Sequence, residues 1–303
     1  MQISVIIPTC GRISELALCL EGLRRQTLKP KEIIVVNDSG ENISDKLKDI
    51  KVVTTKGKIG SGRAKNEGVK LAQGQVLAFL DDDCVPSRLW LAEIAKSFQD
   101  KKIKVVVGRI VEKYPQDKQG SFSDFILNLP FYPFYLLFHK KVGGTIYFNG
   151  RVDAHLNTSS QGFCDWGGAG NLAVRTLIFQ RIGGFEENFL PGPSLEEPDL
   201  CFRIKKKGGR IFYNGRAEVI HYRSPKGRLT RQDAIQNTRA NEVYFGLKNI
   251  AFENLFTFLG FFIYQAWQIF IYGLAALVQR EYWQRIRGKI KGFAHYRKVI
   301  SKK

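Results

Sequence analysis

The stretch Val76-Leu77-Ala78-Phe79-Leu80-Asp81-Asp82-Asp83-Cys84-Val85-Pro86 holds five apolar residues, three adjacent carboxylates and a short return closed by proline. Five apolar residues are strand length and too few for an independent helix, so residues 76–80 predict a buried strand. Three carboxylates at its end repel one another unless a cation or hydrogen-bond donors lie beside them. A hard divalent cation, Mg²⁺ or Mn²⁺, is the natural partner. It takes one or two carboxylates and completes its shell with phosphate oxygens and water. Asp81 and Asp83 point the same way if the chain stays extended, and straddle a ligand if it turns. A solvated acidic turn is the competing reading.

The same alternation recurs on either side. Residues 3–7 (ISVII) form a β-branched run ending at Pro8, and 16–25 place Leu16, Leu20 and Leu23 on one helical face. Residues 32–36 are a second strand running into Asn37-Asp38-Ser39-Gly40, and Val52-Val53 is a third. Residues 60–72 read as a helix with a glycine-rich entry, 89–98 as another, and 104–111 as a further strand. Alternating strands and helices predict an α/β domain with a mostly parallel sheet and helices on both faces. Ligands of such sheets bind outside the carboxyl ends of the strands, where Thr9, Asp38 and the acidic triplet all fall. Further on, 122–138 is aromatic and interrupted by Pro130 and Pro133, which argues against a regular helix. Trp166-Gly167-Gly168-Ala169-Gly170-Asn171 is a glycine-rich turn. Residues 200–204 are helical in pattern, and 210–213 and 217–220 are strand-like.

Five segments, SVIIPTCGR (4–12), IIVVNDSG (33–40), GRAKNEG (62–68), VLAFLDDDCVP (76–86) and GNLAVRTLIFQRIGGFEENF (170–189) with EEPDLCFR (196–203), resemble glycosyltransferase family 2 in their order and spacing. The resemblance implies the GT-A fold, Rossmann-like, and inverting transfer from a nucleotide-diphospho-sugar, most often a UDP-sugar. It implies nucleotide-sugar contacts at Thr9, Asp38, Arg63, Asn66 and Asp81, with Asp82 in the same set. It also implies metal ligation at Asp83, with His221 completing the shell; an imidazole suits Mn²⁺ better than Mg²⁺. Residue-level alternatives stand beside these roles. Asp38 can form an Asx-turn with Ser39-Gly40, Arg63 and Asn66 can belong to a helix start, and His221 can be a satisfied polar residue.

The family's base lies in a Glu-Asp pair, and here the run is Glu196-Glu197-Pro198-Asp199-Leu200-Cys201-Phe202-Arg203. The resemblance therefore implies Glu197 as the general base, one methylene longer than usual, with Glu196 and Asp199 as alternatives on the acceptor side. Ser194-x-x-Glu197 also reads as a capping box. Pro198 at the first helical position would make Glu197 the cap itself, with its ionised form favoured by the helix end. Gly168, Gly170 and Asn171 fall in the acceptor-side turn, where tight backbone geometry is the simpler reading for the glycines. Trp166 offers a face to a sugar ring or belongs to the core.

Composition narrows the rest. The 303 residues are 44% hydrophobic and 25% charged, which is globular rather than disordered. Five widely spaced cysteines with no C-x-x-C argue against a disulfide framework or zinc finger and favour a reducing compartment. The start, MQISVIIPTCGR, lacks a basic n-region, so no secretory signal is expected. The net charge of +19 is concentrated: 204–231 and 280–303 each hold nine Lys/Arg and one acid. No nucleic-acid motif accompanies them, so nucleic acid is not expected as a partner. The second cluster follows 26 uncharged residues, 254–279. As a helix these run about 39 Å, enough to cross a hydrocarbon core, but a single span would separate the catalytic domain from the basic tail. An in-plane or re-entrant segment keeps both on one side, with 122–138 as a second surface contact; a buried core helix is the alternative.

The expected organisation is a catalytic domain over 1–230, nucleotide-sugar side about 1–110 and acceptor side about 111–230. A helical, basic, membrane-associating tail follows over 231–303. The expected place is the cytoplasmic face of the cell membrane, peripheral or monotopic, with a glycan or lipid-linked acceptor in cell-surface polysaccharide or glycolipid synthesis. A sugar-nucleotide nucleotidyltransferase fits less well, because Cys10-Gly11-Arg12 is a poor phosphate loop. A membrane-surface binding protein that has lost turnover is the non-catalytic alternative.

Overall fold

The protein is described by a computed structural model over residues 1–41, 43, 47, 50–114, 126–192, 195–224 and 229–302. Its strands are β1 (Ile3–Thr9), β2 (Glu32–Asn37), β3 (Lys51–Thr54), β4 (Val76–Phe79), β5 (Cys84–Pro86), β6 (Ile103–Glu112), β7 (Gly143–Ile146), β8 (Val152–His155), β9 (Gln161–Cys164), β10 (Leu172–Arg175) and β11 (Arg210–His221). The helices are α1 (Ile13–Arg24), α2 (Ser61–Val69), α3 (Trp90–Ser97), α4 (Tyr132–Phe138), α5 (Thr176–Ile182), α6 (Glu196–Lys206), α7 (Arg231–Asn249), α8 (Leu255–Ala276) and α9 (Tyr282–Ile300).

Period-two alternation sorts the central strands into two cores. Ile3, Val5 and Ile7 of β1 with Val76 and Ala78 of β4 pack under Leu16, Leu20 and Leu23 of α1 and Trp90, Leu91 and Ile94 of α3. Ile6, Ile34, Val36, Leu77 and Phe79 face the other way, toward Ala64 of α2, Phe179 of α5 and Leu200 and Ile204 of α6. Both faces are covered, which is why these strands read as continuous apolar runs.

The order in the large sheet is β3-β2-β1-β4-β10-β6-β11-β5, with β9 also on β11. The first four strands are parallel, as expected. Beyond them the sheet is mixed. Strand β10 enters antiparallel between β4 and β6, β11 runs parallel to β6, and β5 and β9 are antiparallel to β11. The two strand-like pieces at 210–213 and 217–220 are one strand interrupted by a bulge: Asn214 is opposite Gly108, but Glu218 is opposite Arg109.

Residues 122–125 lie outside the described ones; the remainder is helical but is not one regular helix. Ile126–Phe138 is helical, with a 3-10 turn at Leu129–Phe131 before α4. Pro130 and Pro133 each occupy a first-turn position of a new short helix, where a missing N–H costs nothing.

The C-terminal helices pack on the rest of the chain. In α7, Asn241 exchanges hydrogen bonds with the Leu190 backbone at 2.9 and 3.0 Å, and Lys248 pairs with Glu186 at 2.9 Å. His295 of α9 reaches the Asn188 carbonyl at 2.6 Å.

Candidate active site

The acidic triplet leaves β4 at its carboxyl end and turns back into β5, and its three side chains take different surroundings. Asp82 is fully buried. It accepts a hydrogen bond from Thr9 Oγ1 at 2.7 Å and another from Arg12 Nε at 2.9 Å. Burial pushes its carboxyl up to about 7 against the pull of Arg12 and Thr9. Asp83 accepts from the Ser224 amide at 3.0 Å and lies 3.2 Å from both Arg12 and His221 Nε2. Burial alone would raise Asp83, but His221 and Arg12 hold it below the ordinary carboxylate range. Asp81 faces a cleft of about 680 Å³.

His221 is brought there by the β11 bulge. The register shift places it opposite both Glu112 and Cys84. Two residues fill the gap the bulge opens: Asn171 Nδ2 donates to the carbonyls of Arg109 and Ala217 at 2.9 and 2.6 Å, and Trp90 Nε1 donates to Asn171 Oδ1 at 2.7 Å. Glu112 meets His221 Nδ1 at 3.2 Å and is clamped by Arg223 at 2.5 and 2.9 Å. A carboxylate on Nδ1 fixes the ring and directs Nε2 at Asp83, as a carboxylate on the far nitrogen does for histidine ligands of metals. The Asp83 carboxylate oxygen and the His221 imidazole nitrogen, which lie within 4.8 Å of one another, fit a divalent cation such as Mn²⁺. The Cys84 sulfur is within the same 4.8 Å grouping, but burial raises its thiol well above the usual range, so it stays protonated.

Helix α6 begins at Glu196 after Leu195. Glu197 is therefore inside the first turn and is not the cap, which corrects that expectation. Ser194 of the expected capping box lies outside the described residues. Glu196 and Glu197 share the ammonium of Lys65 from α2, at 2.9 and 3.0 Å, and Lys65 is 1% exposed. Gly62 leaves room where the two helices approach: a Cβ there would stand 3.2 Å from Glu196 Oε2, a tight contact. Burial, opposed by Lys65 and reinforced by Glu196, raises the Glu197 carboxyl to about 8. The expectation that the helix end simply favours its ionised form is thus corrected; desolvation dominates.

The cleft brings together Asp81, His221, Glu196, Glu197, Gly168 and Gly170 of the expected set. Among the described residues, the other expected ones are not part of its lining. Asp38 accepts hydrogen bonds from Thr55 and from the Ile59 and Gly60 amides, so it shapes the entry to α2, while Asn37 makes the Asx contact to Ser39. Asn66 bonds both N–H and C=O of Phe185, and the exposed Arg63 reaches the Glu187 carbonyl. Asp199 is fully buried between Arg203, Lys248 and Asn249. Trp166 donates to the Asp153 carbonyl at 3.1 Å, and Asn171 fills the bulge. Lys65, Glu112, Arg12 and Arg223 were not anticipated. Helical spacing carries the one signal for Lys65: it shares the buried face of α2 with Ala64 and Gly68, and the exposed Ser61, one turn earlier, also lines the cleft.

Residues 4–152 match the model of "Glycosyl transferase family 2". The chain is 24% identical over 238 residues to a glucosyl-dolichyl phosphate glucuronosyltransferase of Haloferax volcanii, covering 73% of this chain and 69% of that one. Several other curated relatives are matched over only 33% to 45% of their own length. Its fold is similar to that of GalNAc-T7 solved with UDP, GalNAc and Mn²⁺ (TM-score 0.57, 17% identity, 81% of this chain and 49% of that one). It is also similar to the mannosyltransferase PcManGT of Pyrobaculum calidifontis with GDP-Man and Mn²⁺ (TM-score 0.54, 15% identity, 100% and 88%). By its motifs and the family model matched over residues 4–152, the chain carries a glycosyltransferase family 2 domain with a GT-A fold.

Proposed function

We propose that the protein transfers a sugar from a nucleotide-diphospho-sugar to an acceptor hydroxyl with inversion, the acceptor being a glycan or a lipid-linked saccharide. The observation that carries this reading is one cleft lined both by Asp81 and His221 and by the Glu196–Glu197 pair. Fold neighbours crystallised with UDP or GDP-Man and Mn²⁺ support a nucleotide-sugar donor and a divalent cation. The Haloferax relative supports a glycolipid or polysaccharide setting.

Asp83 and His221 would hold the cation, Glu112 and Arg223 keeping the imidazole oriented. When bound, the cation supplies positive charge to the diphosphate as it leaves. Glu197, in the same cleft, takes the proton of the acceptor hydroxyl as the hydroxyl oxygen bonds to the anomeric carbon and the bond from that carbon to the diphosphate oxygen breaks. A buried carboxylate with its pKa raised toward 8 is a stronger base than one in water, which suits this step. Lys65, hydrogen-bonded to both glutamates, positions the base and prevents two buried negative charges from standing unopposed.

The test is Glu197→Gln. Transfer should fall by about 10²–10⁴-fold, with donor affinity measured calorimetrically left within a few-fold. Near-normal transfer would remove Glu197 from the role.

A further inference from the structure

Helix α8 is amphipathic in the wrong sense for a core helix. Its inward face carries Tyr264, Gln265, Gln268 and Tyr272, each at most 7% exposed. Its outward face carries Leu259, Ile263, Phe270 and Leu274, exposed by 49% to 56%. Helical spacing places these four, with Leu255 and Leu277, on one arc with no charged residue among them. The sequence-distant helical segment Ile126–Phe138 sits beside it: Trp267 Nε1 donates to the Ile126 carbonyl at 3.0 Å, and Phe131 packs edge-on against Tyr264 at 5.8 Å. That segment adds Leu136, Leu137 and Phe138, each more than 60% exposed. The β7–β8 turn joins the two, with Phe148 stacked on Phe256 at 4.6 Å and edge-on to Phe134 at 5.4 Å. An apolar surface assembled from three separate parts of the chain marks an interaction site rather than scattered surface leucines.

We infer that this face docks on an anionic lipid bilayer, with α8 lying in the interface plane. Charge complementarity selects the occupant. Helix α9 packs on α8 through Phe293 against Phe261 and Phe262, and its exposed side carries Arg287, Lys291, Arg297 and Lys298 beside Trp283 and Ile290. Basic residues interleaved with exposed aromatic and aliphatic ones suit anionic headgroups over an acyl boundary. Among the described residues α8 is the one helix long and apolar enough to cross a membrane. Crossing would strip its polar inward face from Asn128, Ile126 and the buried Lys289, which pairs with Glu242 and lies over the Tyr264 ring, and would carry Gln265 and Gln268 into hydrocarbon. The surface also continues toward the cleft: the hairpin whose turn carries Phe148 brings Ala154 and His155 to the cleft wall. A membrane-borne acceptor would therefore meet the active site from this side.

The test is flotation of the purified full chain with vesicles of phosphatidylcholine plus phosphatidylglycerol, against phosphatidylcholine alone. The chain should bind the anionic vesicles preferentially, and added salt should weaken binding. Ile263→Asp and Leu137→Asp should each lower vesicle partition by about tenfold or more. Leu177→Asp, at an exposed apolar site on α5, should not. Unchanged melting curves would show that the variants fold. The inference is overturned if the wild-type chain stays with the soluble fraction, or if Ile263→Asp and Leu137→Asp bind like wild type. It is equally overturned if the face proves to be covered by a second copy, seen as a dimer in sedimentation that Leu137→Asp dissociates. Vesicle binding is read without any sugar donor, so its failure is distinguishable from failure of the proposed transfer.

Discussion

Lys65→Met keeps most of the lysine volume and removes the charge that opposes two buried carboxylates. At 2.9 and 3.0 Å, and with an effective dielectric near 20, each attraction is about 5.5–6 kcal/mol gross. Much of that is offset by the cost of dehydrating the ammonium, and removing one partner of a buried ion pair typically costs about 3–5 kcal/mol net. The sign of the pH dependence follows from the second carboxylate. In the wild type Glu197 is already raised to about 8 while Lys65 stays protonated, its own pKa raised by the two glutamates against the effect of burial. In the variant the pair gains a further raised group. A carboxyl whose folded pKa exceeds its unfolded value loses stability as pH rises between the two, at about 1.4 kcal/mol per unit. The deficit should therefore be small near about pH 5 and grow with pH through and beyond about 8, because Glu197 without Lys65 ionises still later than in the wild type. Urea unfolding followed by tryptophan fluorescence, wild type and variant together across that range, measures it. A loss below about 1 kcal/mol at the alkaline end, or one independent of pH, would refute the view that Lys65 balances this pair.

Three other outcomes are expected. If Glu197 is the base, kcat/KM should climb with pH and level off near 8, not near the ordinary carboxylate value, because burial and Glu196 raise it despite Lys65; a profile flat from weakly acid pH upward would exclude it. Chelation should abolish transfer and Mn²⁺ restore it, and Glu112→Gln should weaken Mn²⁺ binding by about 10–100-fold, as calorimetry can show, because it releases the His221 ring; unchanged affinity would place the cation elsewhere. Gly108→Ala would push a Cβ to 2.1 Å from the Ala217 carbonyl and 2.3 Å from Asn171 Nδ2. It should cost about 3 kcal/mol or more in thermal or urea unfolding, and a near-native stability would contradict the packing of the β11 bulge.

The parts of the site were unequally legible. Asp81, Asp83 and Thr9 are placed by local pattern, since each follows a short apolar strand whose direction the parallel sheet dictates. His221 and Glu197 entered through motif resemblance, and their surroundings did not. Nothing near His221 in the chain points to Glu112, 109 residues away, and nothing near Glu197 points to Lys65, 132 residues away. The Asn171 side chain belongs to a turn that reads as ligand-facing, yet its hydrogen-bond capacity is spent on the bulge between β6 and β11. Asp199, in the same run as Glu197, is turned inward onto Lys248 and Arg203.

The sequence by itself determined the strand and helix alternation, the acidic strand end and the family, because apolar periodicity and short motifs are properties of neighbouring residues. Only the tertiary structure decided which carboxylate faces the cleft and which is buried against a lysine, how far burial moves the Glu197 proton, and that α8 turns its polar residues inward. Those depend on desolvation and on partners more than a hundred residues distant, which the chain brings together only on folding.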